Sequence, residues 1–379
     1  MTQTIDRPWS DDKRILSEVA HIAKSRLAPE ANRIDQEGYY PKDIMAELGQ
    51  AGAFATHLDK YGQRFNLALL NMHEIARHCG ATGFLTWCHD VCGLYMERSE
   101  NPALTHRLSD HAAALSFGGT ALSNPMKSLT EIENFALKAV RCPGGYKVSG
   151  VLPWVSHIAP GQYCGAIAQL EQSKNSAPHE IMFLLEIDER VELRKCPAFS
   201  GMEGTSTWSL FLRDYFIGKD QIIADPARPF VAKIRGAFIL LQVGMASGVI
   251  QASIDACKEV ETSLGHVNQY LHNRPDELQA EADELLQRVR LLAQTPYETD
   301  KDYLLNVLDA RAQGAELALK ASQSALLHQG ARGYLMKSKP QRLIREAHFV
   351  AIVTPAIKHL RWEMAKLMQE PSPQITQQA

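Results

Sequence analysis

In the stretch "GVLPWVSH", Gly150 to His157, a proline, an indole and a hydroxyl stand almost side by side as Pro153, Trp154 and Ser156. A planar ring with a polar edge needs a flat apolar face to stack on and a nearby donor for its edge, and this triplet offers both. The plainer reading is a core-filling tryptophan on a strand that breaks at Pro153. A second group of chemically able side chains, His73, His78, Cys79, Cys88, His89 and Cys92, lies in "HEIARHCGATGFLTWCHDVC". Its spacing matches no zinc pattern, and on helices these side chains point in several directions, so no metal is expected. Cys88 and Cys92 read as small buried residues.

Three kinds of segment must position these groups. From about Asp11 to Leu115 apolar residues recur at helical spacing, with Ile15, Leu16, Val19, Ile22, Ala23 and Leu27 on one stripe. "PKDIMAELGQAG" opens on Pro41 and stops at Gly49 and Gly52, and "NLALLNMHEIARHCG" reads as a helix ending at Gly80. Between Phe117 and Asp214 come short β-rich runs: "FALKAVR", "GYKVSGVL", "YCGAIAQL", "IMFLLEI", "VELRKC" and "WSLFLRD". Their spacing, with "CPGGY" as a turn, suggests a small barrel or sandwich. After "DPARP" four long helical patterns follow. Pro355 interrupts the last, so Val353 and Thr354 fall at an irregular point. The expected architecture is an α+β multidomain chain with an N-terminal all-α domain (1–115), a middle β domain (116–225) and a C-terminal four-helix bundle (226–370). A disordered tail is expected over 371–379.

The chain has 379 residues, 40 basic and 43 acidic, for a net charge of −3. That balance leaves no basic footprint for nucleic acid and no polybasic stripe for a membrane. The N-terminus lacks a signal-peptide run, and the most apolar segment, "GAFILLQVGMASGVI", is short of the ~20 residues that span a bilayer. Seven scattered cysteines fit reduced thiols, and a cytoplasmic location is expected.

This succession of helices, β unit and bundle, with the motifs spread along it, resembles the acyl-CoA dehydrogenase family of flavoproteins over nearly the whole chain. "GGTALSNP" (Gly118–Pro125) resembles the family's Leu-Thr-Glu-Pro segment, with Leu122 and Ser123 at the leucine and at the threonine that hydrogen-bonds the flavin. "GYKVSGVLPWVSH" resembles its Gly-x-x-Asn-Gly-x-Lys-x-Trp-Ile-Thr segment, so Trp154 and Ser156 match the residues at the isoalloxazine ring. "QGARGYL" (Gln329–Leu335) resembles Gln-x-x-Gly-Gly-x-Gly-Tyr and adds Gln329 and Gly330 to the cofactor set. "RLIREAHFVAI" (Arg342–Ile352) resembles the helix before the catalytic loop, where Arg345 and Glu346 stand as a structural pair. The resemblance implies FAD as cofactor, an acyl thioester as substrate, an electron-transfer flavoprotein as candidate partner, and a homodimer or tetramer.

Family dehydrogenases remove an α-proton with a glutamate while the β-hydride passes to the flavin, work that suits an ionised carboxylate. The position resembling that glutamate's is Thr354, and the alternative position on the first bundle helix is Phe238. Neither is a base. The base is therefore unassigned, with His157 and His359 as candidates and His348 nearby, although a lone histidine more often serves the structure. The family's Arg-x-x-Phe-Gly is represented by Leu264, Val267 and Asn268, and its Gly-Ser-Asp by "MKSL". Three functions stay open. The first is a dehydrogenase with a relocated base. The second is a flavin-dependent monooxygenase that uses O2 and reduced flavin from a reductase on a small aromatic or aliphatic substrate. The third is a non-catalytic acyl-binding member.

Overall fold

The computed structural model describes residues 9–171 and 177–369, so the tail expected over 371–379 lies outside the described residues. The N-terminal part is helical: α1 (Asp12–Ile22), α2 (Ala28–Glu37), α3 (Lys42–Gln50), α4 (Phe65–His78), α5 (Gly80–Arg98), and the short α6 (Pro102–Thr105) and α7 (Leu108–Ala112). The Asp11 side chain starts α1 by accepting the backbone N–H groups of Lys13 and Arg14, which have no partner within the helix. Of the predicted stripe, Ile15, Val19, Ala23 and Leu27 are fully buried, while Leu16 and Ile22 lie half-buried at its edge.

Gly80 does not close α4 but opens α5. The break falls at Cys79, which is extended. The glycine is needed for approach: a Cβ there would lie 2.8 Å from the Glu346 carboxyl carbon, and Glu346 accepts the Gly80 N–H at 2.9 Å.

The middle part holds β1 (Gly118–Thr120), α8 (Ser123–Leu129), β2 (Leu137–Cys142), β3 (Gly145–Val155), β4 (Tyr163–Leu170), β5 (Glu180–Glu186), β6 (Glu192–Lys195), β7 (Trp208–Gly218) and β8 (Ile222–Ala224). They form one eight-stranded sheet in the order β6-β7-β3-β2-β4-β5-β8, with β1 paired to β4. All six predicted strand runs are present. The break expected at Pro153 is not found: β3 passes through Pro153 to Val155 by a register shift against β7 between Leu152 and Val155. A residue without an N–H is tolerated where ladder pairing is already irregular. Leu137, Val148, Leu152, Ile181, Phe183 and Leu210 give this unit a core of its own.

The C-terminal part comprises α9 (Ala227–Lys258), α10 (Glu261–Asn268), α11 (Pro275–Leu292), α12 (Lys301–Gln329), α13 (Lys339–Ile352) and α14 (Ile357–Gln369). The apolar segment judged too short to span a bilayer belongs to α9, which runs 32 residues, and 94% of its most apolar window is buried within the protein. A helix packed on several sides is apolar all round, and α9 packs against α4, α5, α11, α12 and α13. Its side chains join those of the N-terminal helices in one continuous core. Pro355 interrupts the helical pattern as expected, leaving residues 353–356 as a linker between α13 and α14.

Candidate active site

A cavity of about 1100 Å³ lies where the end of β3, α8, α5 and the bundle helices meet. Its wall takes Phe84 and Trp87 from α5, Leu122, Ser123 and Lys127 from the α8 segment, Trp154 and Ser156 from the sheet, and Phe238 from α9. Arg345, His348 and Phe349 of α13, Thr354 of the linker, and Lys358, His359 and Trp362 of α14 also contribute.

Trp154 is 64% exposed, although indoles are ordinarily well buried. Its neighbour Ser156 sits in a row of hydroxyls: Ser156 Oγ lies 2.6 Å from Thr207 Oγ1, which lies 2.8 Å from Thr205 Oγ1, and Thr205 donates to the Met202 carbonyl at 2.8 Å. All three hydroxyl residues line the cavity. Gly119 lets β1 approach this segment closely, since a Cβ there would lie 2.8 Å from the Ser156 carbonyl oxygen. Ser123 Oγ meets Thr354 Oγ1 at 2.9 Å and ties the start of α8 to the linker. A flat apolar surface and directed hydroxyls therefore share one cavity, the combination that a planar ring with a polar edge requires. The residues present fit an isoalloxazine ring.

Elsewhere the wall is aromatic. Phe84 stacks on Trp87 at 5.7 Å between centroids and meets Phe349 edge-on at 4.6 Å, and Trp87 meets Phe238 edge-on at 5.1 Å. The Trp87 indole N–H is satisfied by the Phe238 carbonyl at 3.2 Å. Two carboxylates, Glu131 and Glu133, line the cavity. Glu133 is engaged by Asn124 and Lys127, and Glu131 by Lys366. Thr354 and Phe238 both reach the wall, so the two positions compared with the family's glutamate do lie at this cavity, without a carboxylate.

The candidate residues divide. Leu122, Ser123, Trp154, Ser156, His348 and His359 come together around the cavity. His157 does not line it. Its backbone adopts φ 62° and its side chain is fully buried, with Nδ1 3.0 Å from the Tyr40 hydroxyl. Burial, with His89 and Lys42 nearby, holds its pKa well below the ordinary histidine range. A neutral imidazole locked against Tyr40 is poorly placed to exchange protons with a ligand in the cavity. Gln329 and Gly330 also stand outside the wall. Gln329 donates to the Ala256 carbonyl at 3.0 Å, at the far end of α12. Arg345 pairs with Asp35, and Glu346 with Arg342 at 2.8 Å, so the expected structural pair is two separate ion pairs.

His359 is the best-supported imidazole of the wall. Its Nε2 lies 2.9 Å from Glu363 Oε1 and 3.1 Å from Thr130 Oγ1, and Glu363 also forms an ion pair with Arg235. A carboxylate on one ring nitrogen favours the tautomer that leaves the other as an acceptor, and His359 Nδ1 is buried without a hydrogen-bond partner among the described residues. Sequence reasoning missed Glu363 and Arg235. The i,i+4 spacing from His359 to Glu363 on a helix was the available signal. Thr205 and Thr207 were missed for a different reason, since nothing local ties them to Ser156.

Residues 10–107 match the family described as acyl-CoA dehydrogenase, N-terminal domain. The chain is 21% identical over 350 residues to the probable acyl-CoA dehydrogenase YngJ of Bacillus subtilis, covering 88% of this chain and 91% of that protein. It superposes on butyryl-CoA dehydrogenase from Megasphaera elsdenii with a TM-score of 0.82 at 15% identity, over 95% of this chain and 98% of that one. It also superposes on the dibenzothiophene monooxygenase TdsC from Paenibacillus sp. A11-2 with a TM-score of 0.77 at 14% identity, over 94% and 97%. The chain thus has the fold of these solved structures, and its residues 10–107 match the acyl-CoA dehydrogenase N-terminal domain.

Proposed function

We propose that this chain is an FAD-dependent oxidoreductase whose cavity takes the isoalloxazine ring against Trp154, with Ser156 and Ser123 as hydroxyl partners for its polar edge. One observation carries the reading: an indole 64% exposed beside a row of cavity-lining hydroxyls. When bound, the flavin supplies a two-electron acceptor. The aromatic side chains of α5, α9 and α13 exclude water from the space beside it and receive an apolar substrate. The first reaction we assign is α,β-dehydrogenation of an acyl thioester, supported by the dehydrogenase relative that matches nearly the whole chain. Thr354 cannot take the α-proton, and His359 is the wall residue whose chemistry suits a proton acceptor.

A second reading, hydroxylation of a small aromatic substrate with O2 and reduced flavin, is favoured by Thr354 and Phe238 at the two base positions and by the aromatic wall. Anaerobic mixing of the flavin-loaded protein with short and branched acyl thioesters tests the first reading, because the yellow absorption should bleach. No bleaching, together with oxygen uptake on adding reduced flavin and a phenol or indole, would overturn it in favour of the second.

A further inference from the structure

Arg311, in the first half of α12, is the largest fully buried side chain among the described residues. No carboxylate pairs with it among the described residues. Nε donates to Gln242 Oε1 at 2.7 Å, Nη2 donates to the Val350 carbonyl at 2.6 Å, and Nη1 has no hydrogen-bond partner among the described residues. Burial lowers its pKa to about 10, so it remains a cation at neutral pH. A buried cation is expensive unless its donors are used, and charge-assisted bonds to neutral acceptors are strong. The acceptors here are informative. Val350 lies in the last turn of α13, and Gln242 of α9 passes its own Nε2–H to the Thr354 carbonyl at 2.9 Å. The Thr354 hydroxyl then meets Ser123. One hydrogen-bonded line runs from the centre of the bundle to the cavity wall, holding the last turn of α13 through Val350 and the linker through Thr354.

We infer that Arg311 and Gln242 are positioning residues of the cavity, holding the 350–354 backbone so that the Thr354 hydroxyl faces Ser123. The inference rests on the reading that the flavin ring lies against Trp154 with Ser123 at its polar edge, but its first test does not need flavin. Gln242→Glu keeps an acceptor for Arg311 and supplies the missing counter-charge, yet an ionised carboxylate has no hydrogen to give the Thr354 carbonyl. The expected result is a melting temperature unchanged or raised, with hydrogen exchange in peptides spanning 350–357 at least about tenfold faster and flavin affinity about tenfold weaker. A merely structural pair would shift the melting temperature and leave both other readouts alone. If Gln242→Glu does not fold, the double variant Arg311→Met/Gln242→Leu replaces both partners with apolar groups of similar shape, a change that proteins often accept. It should show the same local exchange and weakened flavin binding. Exchange within twofold of wild type in the variant that folds would overturn the inference. Wild-type protein that binds no flavin would instead sink the functional reading, and the exchange result alone would then decide the positioning role.

Discussion

Ser123 and Thr354, 231 positions apart, share a hydrogen bond of 2.9 Å at the cavity wall. That contact closes the gap between α8 and the linker that leads into α14. It also occupies the side chain of Thr354, the position that the sequence resemblance compares with the family's glutamate. Four predictions follow from the site and its supports.

Trp154→Ala should weaken flavin binding by roughly 1–3 kcal/mol, the value of a stacked indole face. Because Trp154 is 64% exposed, the melting temperature of the flavin-free protein should barely move. Titration of flavin followed by fluorescence quenching measures the first and calorimetry the second. Wild-type affinity in the variant would count against the ring platform.

Thr354→Glu puts an ionised carboxylate on the linker at the position aligned with the family's base. If the bound substrate is an acyl thioester, anaerobic bleaching should speed up by at least about tenfold, within the range that a placed general base supplies. An unchanged bleaching rate with flavin still bound would argue that thioester dehydrogenation is not the reaction.

Glu363→Gln removes the charge that faces Arg235 and the imidazole of His359. Glu363 is buried and Arg235 only 20% exposed, so the loss should cost about 2–3 kcal/mol of stability, below the usual value for a fully buried pair. Urea titration reads this directly. A variant as stable as wild type would mean that water already screens the pair.

Acidification should destabilise the protein well before its carboxylates protonate. His57, His89, His111 and His157 are fully buried, and His89 stacks on His111 at 3.7 Å. Burial is the largest cause in each case, bringing His57 to about 3 and His89 to about 4 and holding His111 and His157 well below the ordinary value of 6.5. A depressed folded-state pKa gives stability that is present above pH 6.5 and lost as pH falls toward the folded value, because the unfolded chain then binds the extra proton. For His89 the loss between pH 6.5 and 5 is roughly 1.5 kcal/mol. Asp90 acts in the opposite sense, since burial raises its pKa and its folded form keeps a proton. Burial also lowers His73 and raises Glu97 and Glu346, so five imidazoles stand against three carboxyls, and the melting temperature should drop between pH 7 and pH 5. A level profile over that range would contradict the neutral, buried state of these rings.

Much of this protein was legible in its residues taken in order. The stripe from Ile15 to Leu27, the strand runs from Leu137 to Gly218 and the break at Pro355 are local patterns, because side-chain spacing along a helix or strand sets which face is buried. Trp154 and Ser156 were legible as a pair for the same reason, standing close together in the chain where β3 ends. What lies across the cavity from them was not. Whether a histidine beside a tryptophan faces a ligand or turns inward to Tyr40 depends on one backbone angle at His157, and no spacing encodes it. The grip of Arg311 on Gln242 and the linker, and the meeting of Ser123 with Thr354, join segments that only packing brings together. Chain order thus determined the elements and one wall of the site. The opposite wall was decided by how α9, α12 and α13 close on the sheet, since burial and hydrogen bonding act across space rather than along the backbone.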